Sequence, residues 1–282
     1  MTHHQHIILG YPNSGKTTYL AALWYMLDAG TTTSLTLEKV SGDMRYLNEI
    51  KSTWLKCEQV PRTTISTEEM VEIMVRDTSS AKVSTLQLPD FSGETFQALI
   101  SNRACEKSFL ATLDQSSGIL FFVNADRSND MMSVIDHNFQ DDDAGEQADD
   151  TPESENLFED FDARRMPEQT RIVDVLQLLQ ASPFRQTRRR LAIAISAWDV
   201  VVVDKISPQE WVAREMPLLD QFLANNLNEY EVCFCGISAQ GGQFEGRARD
   251  HLLDKAPAER VVVEWDGVIG CDITLPLTWL SR

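Results

Sequence analysis

The chain has 282 residues, 43% of them hydrophobic, and a formal charge of −18. That length and composition suit a globular protein with a sizeable core, in one large domain or two small ones. No apolar run reaches the roughly 20 residues of a membrane helix, and no broad basic surface is on offer for duplex nucleic acid.

The acidity is local. Residues 136–162 hold 12 acids and no Lys or Arg, and without them 31 acids face 25 bases. No signal-peptide pattern opens the chain, and its five cysteines are an odd number, so buried thiols in a cytoplasmic protein are expected. His3, His4 and His6 lack partners at metal-ligand spacing and read as a frayed terminus.

In chain order, "HIIL" (6–9) is a short buried strand, and Gly10-Tyr11-Pro12-Asn13-Ser14-Gly15-Lys16-Thr17 fits G-x-x-x-x-G-K-[ST]. Glycines let backbone N–H groups curl around phosphate oxygens, and the following helix adds its positive end. Gly10, Asn13, Ser14, Gly15 and Thr18 belong to that loop and its helix start. Lys16 would reach the β/γ-phosphates and Thr17 would ligate Mg²⁺. Leu20, Leu23, Trp24 and Leu27 space an amphipathic helix.

Residues 31–58 predict a strand and a helix inserted after that element. "EEMVEIMVRD" and "KVSTLQLPD" predict a hairpin, closed by the turn "TSSA". Asp90 then stands at a strand end, where a carboxylate would hold Mg²⁺ through water, and Gly93 precedes a helix beginning near Glu94. "GILFFVNAD" is apolar throughout, as in a strand covered on both faces. An acidic, polar segment at about 128–166 predicts disorder.

Order resumes with a helix in "IVDVLQLLQ", a buried strand in "RLAIAISAWDV", one long helix in "PQEWVAREMPLLDQFLANNL" and a closing strand in "YEVCFCGISA". Cys233 and Cys235 share a face of that strand. "RQTRRR" (185–190) reads as a solvated helix end or as a docking point for the acidic segment or a partner, and "CDITLPLTWL" as a terminal helix packing Leu277 and Trp279. The expected fold is α/β: a three-layer P-loop domain over 1–282, with a mostly parallel sheet, one antiparallel hairpin strand and helices on both faces.

The order of these motifs over about residues 4–240 resembles the translation-factor-related (TRAFAC) class of P-loop GTPases, which includes the Ras-like proteins. "DFSG" matches their D-x-x-G at Asp90 and Gly93, Ser196-Ala197-Trp198-Asp199 stands where they carry [NT]-K-x-D, and Ser238-Ala239 matches their S-A element. More narrowly, "SGKTTYLAALW" with D-x-x-G-E is similar to bacterial GTPase-like proteins of predicted conflict or defence operons.

The resemblance implies GTP/GDP and Mg²⁺ as ligands. Asp199 would accept from guanine N1–H and its exocyclic amine, a pair adenine does not offer, and Ala239 N–H would meet O6. The usual lysine is Ala197 here, so adenine or no base discrimination stays open, and Trp198 either stacks on the base or belongs to the core. Thr63 or Thr64 in "VPRTTIST" would close on Mg²⁺, with Thr64 taken as metal and catalytic residue and Arg62 as a loop arginine or a charge-stabilising one. Glu94 replaces the water-orienting glutamine, which implies slow hydrolysis stimulated by a regulatory or effector partner reached through the switch loops or the acidic insertion. An ATPase and a non-catalytic scaffold are the competing readings.

Overall fold

The computed structural model describes residues 4–42, 44–60, 71–88, 93–128, 130 and 165–282. The elements run β1 (His4–Gly10), α1 (Lys16–Asp28), β2 (Leu35–Ser41), α2 (Met44–Leu55), β3 (Val71–Asp77) and β4 (Val83–Leu88). Next come α3 (Gly93–Asn102), α4 (Lys107–Gln115), β5 (Gly118–Asn124), α5 (Glu168–Leu178) and β6 (Arg189–Ser196). After α6 (Pro208–Glu215), α7 (Pro217–Asn225) and β7 (Tyr230–Ser238), the chain ends with α8 (Gly246–Leu253), α9 (Pro257–Arg260), β8 (Val262–Trp265), β9 (Val268–Gly270) and α10 (Leu275–Leu280).

The strands form one sheet in the order β2-β3-β4-β1-β5-β6-β7-β8-β9. β4, β1, β5, β6 and β7 pair in parallel. The pairs β2–β3, β3–β4, β7–β8 and β8–β9 are antiparallel. The sheet is therefore a parallel centre with antiparallel margins, which corrects the expectation of a single antiparallel hairpin strand. β7 does not close the series either, because the tail supplies β8 and β9 beside it.

The centre is parallel because its strands are covered twice, and this is legible in β5. Ile119, Phe121 and Val123 enter one core with Ile193, Ile195, Val175 and Leu219, while Leu120 and Phe122 enter the other with Leu23, Trp54 and Leu277. Side chains alternate faces along a strand, so two apolar faces require a continuous apolar run.

Some local expectations hold and others are corrected. α1 is buried almost all round, from Tyr19 to Leu27, rather than along one stripe. The strand and helix expected over residues 31–58 are β2 and α2, and α2 covers the outer face of α1 with Leu47, Ile50 and Trp54. The helix predicted over 208–227 is two, since Pro217 has no N–H for the helical ladder and a new helix starts there. Arg189 is buried in β6, donating to the carbonyls of Leu179 (3.2 Å) and Arg185 (2.8 Å), so the basic cluster is not a wholly solvated helix end.

Among the described residues no helix is long and apolar enough to cross a membrane. His6 is no frayed residue: it is buried in β1, its Nε2 2.9 Å from Ser281 Oγ, and burial, with lesser help from His4 and Arg190, lowers its pKa to about 3. Burial likewise pushes the Cys233 and Cys235 thiols well up.

Candidate functional site

The first wall of the site is the turn from β1 into α1. Gly15 caps α1 at φ 86° and Asn13 sits at φ 66°, both left-handed, so successive amides face inward rather than into a helix. At Gly15 a Cβ would stand 2.7 Å from the Ser196 Cβ; at Gly10 it would stand 2.7 Å from the Phe122 carbonyl oxygen. The first turn of α1 carries no acid, leaving its positive end to an anion. Lys16 Nζ lies over the loop, donating to the carbonyls of Gly10 (2.5 Å) and Tyr11 (2.8 Å) and to Ser14 Oγ (3.2 Å). Asn124, at the end of β5, donates from Nδ2 to the Asn13 carbonyl at 3.0 Å, a brace the motif alone does not reveal.

The second wall lies across the sheet, at the ends of β6 and β7. Ala197 turns the chain at φ 53° into the short turn Trp198–Val200, which sets Asp199 beside β7. Ser238 Oγ donates to Asp199 Oδ1 and accepts from the Gly241 N–H at 3.0 Å, fixing the carboxylate and the following loop together. Trp198 points the other way. It is fully buried, its Nε1 donates to Glu264 Oε2 at 2.8 Å, and a Cβ on Gly236 would stand 2.2 Å from its ring. Trp198 therefore belongs to the core and does not stack on a ligand.

Between the walls is a cavity of about 370 Å³. Asn13, Ser14, Gly15, Lys16, Thr17 and Thr18 line one end, and Asp199, Ser238 and Ala239 the other. Residues from positions 13 and 239 thus meet around one space, at the C-terminal ends of parallel strands, where α/β sheets bind ligands. Gln59 and Val60, which follow α2, also line it. The sequence placed no site residue there, and nothing in a Gln-Val pair signals one.

Of the remaining expected site residues, Gly93 is the first residue of α3 and Glu94 lies in its first turn. Thr63, Thr64, Arg62 and Asp90 lie outside the described residues. At the foot of the acidic segment, Arg127 pairs with Asp130 and with Glu168 (3.0 Å), and Asp130 Oδ1 accepts the Glu168 N–H at 2.9 Å. Burial raises the Glu168 pKa, with Arg127 opposing. Three side chains thus tie residue 127 to residue 168 at the start of α5.

The Double-GTPase 1 family model matches residues 7–280. None of the curated proteins compared with the chain matches it. Among solved structures the chain is similar to the GTPase-like domain of Ski7 from S. cerevisiae, bound to GDP and inorganic phosphate: 16% identity, 84% of this chain, 43% of that one, TM-score 0.44. The G domain of the T. maritima FeoB iron transporter shows 10% identity over 90% of this chain and 98% of that one, with a TM-score of 0.30. Sup35 complexed with GDP shows 13% identity over 86% and 38%, with a TM-score of 0.35. The chain spans less than half the length of the Ski7 chain it matches first.

Proposed function

The chain belongs to the Double-GTPase 1 family, and we propose that it is a Mg²⁺-dependent GTP-binding switch that hydrolyses its nucleotide slowly. The observation that carries this reading is the single cavity with the glycine-rich loop at one end and the Asp199–Ser238–Ala239 group at the other. A nucleoside triphosphate is a ligand with an anionic end and a hydrogen-bonding end, and the two walls match those ends.

At the phosphate end, the amides from Asn13 to Thr18 and the start of α1 receive the oxygens. Lys16 exchanges its contacts with the Gly10 and Tyr11 carbonyls for the β/γ-phosphates. The Thr17 hydroxyl, a hard oxygen on the cavity wall, suits Mg²⁺, which would neutralise phosphate charge. At the base end, the Ser238 hydroxyl occupies one lone pair of Asp199 and leaves the other oxygen for guanine. A site built for such a pair discriminates strongly against a base lacking the donors. Water is activated weakly, because Glu94 stands where the resembled GTPases have glutamine and adds negative charge near the transition state. Stimulation by a partner follows from that deficit.

Calorimetric titration of the protein with Mg²⁺ and GTP, GDP or ATP tests this, repeated on Asp199→Ala. The expected result is guanine binding that is lost with Asp199. Equal binding of ATP and GTP, indifferent to Asp199, would replace the reading with a general NTPase. Turnover by the isolated protein is expected below about 1 s⁻¹.

A further inference from the structure

We infer that Trp54, on the inserted helix α2, is a positioning residue for base selection: it holds the Ala239–Gln240 peptide on the cavity wall beside Asp199. The inference rests on the base-binding reading above and adds to it an element that lies outside every motif of the chain.

The geometry is a closed strut. Trp54 is buried, and its Nε1 donates to the Ala239 carbonyl at 2.7 Å. Arg260 lies 6.0 Å from the Trp54 ring and donates to the Leu55 carbonyl at 3.0 Å. Arg249 donates to the carbonyls of Cys57 (3.1 Å) and Lys56 (3.0 Å). These two arginines satisfy carbonyls at the end of α2 that the helix itself leaves without donors. On the far side, Gly241 at φ 78° passes so close to Arg260 that a Cβ there would stand 2.0 Å from its carbonyl oxygen. Gly241 N–H in turn holds Ser238, which holds Asp199. The end of α2, Arg260 and the 238–241 loop therefore fix one another.

A trans peptide carries its C=O and N–H on opposite sides. With the Ala239 carbonyl drawn to Trp54, the Gln240 N–H is turned the opposite way, and both residues line the cavity. The Gln240 amide, next in the chain after the Ala239 N–H that would meet a purine O6, is thus set by a side chain that does not line the cavity. The same segment ends in Gln59 and Val60 on the cavity wall.

The test compares wild type, Trp54→Phe and a variant with benzothienylalanine at position 54, which keeps the indole shape without its N–H. Each is titrated with Mg²⁺ and GTP, ATP or inorganic tripolyphosphate, and its thermal midpoint is recorded. The expected result is a fall of about tenfold or more in the GTP-over-ATP ratio, the loss of one well-made hydrogen bond's worth of selectivity, with tripolyphosphate binding unchanged. A retained ratio, or a parallel fall for GTP and ATP, would overturn the inference and leave Trp54 a structural residue. If Trp54→Phe does not fold, the benzothienylalanine variant decides by the same criteria. A wild type that does not prefer GTP would remove the base-binding reading and this inference with it, whereas a variant that keeps the preference removes the inference alone.

Discussion

Replacing Trp198 by Phe separates the two roles the sequence allowed that residue. The indole N–H is 2.8 Å from Glu264 Oε2, Trp198 is fully buried and Glu264 is 9% exposed. The substitution removes a hydrogen bond to a carboxylate, about 1.5–3 kcal/mol, and leaves a buried acceptor without that donor. The smaller ring adds a void beside Gly236, a further loss of about 1 kcal/mol. The sum is roughly 2.5–4 kcal/mol, and at roughly 2–4 °C per kcal/mol for a domain of this size the midpoint should fall by about 5–15 °C. Urea denaturation of wild type, Trp198→Phe, Glu264→Gln and the double variant gives the pairwise term, expected at about 1–2 kcal/mol. In the folded variant GTP affinity should change little, because the ring does not line the cavity. A coupling energy near zero, or a large loss of GTP affinity without loss of stability, would refute this account and return Trp198 to the ligand.

Three more expectations follow from the same structure. Gly15→Ala introduces a Cβ 2.7 Å from Ser196 at a left-handed φ, so GTP and ATP binding should weaken together by about tenfold or more; unchanged calorimetric affinities would contradict the tight loop. Deleting residues 136–162 should leave GTP affinity unchanged, since the Arg127–Asp130–Glu168 ties stand outside the deletion; a loss in the same titration would place that segment in the site. His6 is held neutral by burial, with a pKa lowered from 6.5 to about 3, so the unfolded chain binds the extra proton as pH falls. Its contribution is present above pH 6.5 and lost progressively toward pH 3, by up to about 1.4 kcal/mol per pH unit, and the urea midpoint of His6→Leu should lose that part of the slope.

The amino-acid sequence alone determined the elements whose chemistry is local. The glycine-rich loop was legible because φ > 0 at Gly15 and a close approach at Gly10 demand glycine, and because Lys16 and Thr17 follow at fixed spacing. β5 was legible because two covered faces leave an unbroken apolar run. Pro217 was in plain view, and the single long helix was a misreading of a local signal rather than of a hidden one.

Only the tertiary structure decided the rest. Leu20, Leu23, Trp24 and Leu27 looked like one apolar stripe until α2 came to lie on the outer face of α1. The antiparallel margin β8–β9 depends on a tail returning to the edge of β7, and no short pattern records such long-range pairing. Trp198 and Trp54 are the same residue type beside the same cavity, yet each is placed by a partner distant in sequence: Glu264 for one, the Ala239 carbonyl for the other. A hydrogen bond across 66 or 185 positions exists only after the sheet has closed. The sequence therefore named the residues of the glycine-rich loop, while the fold decided which partner each tryptophan takes.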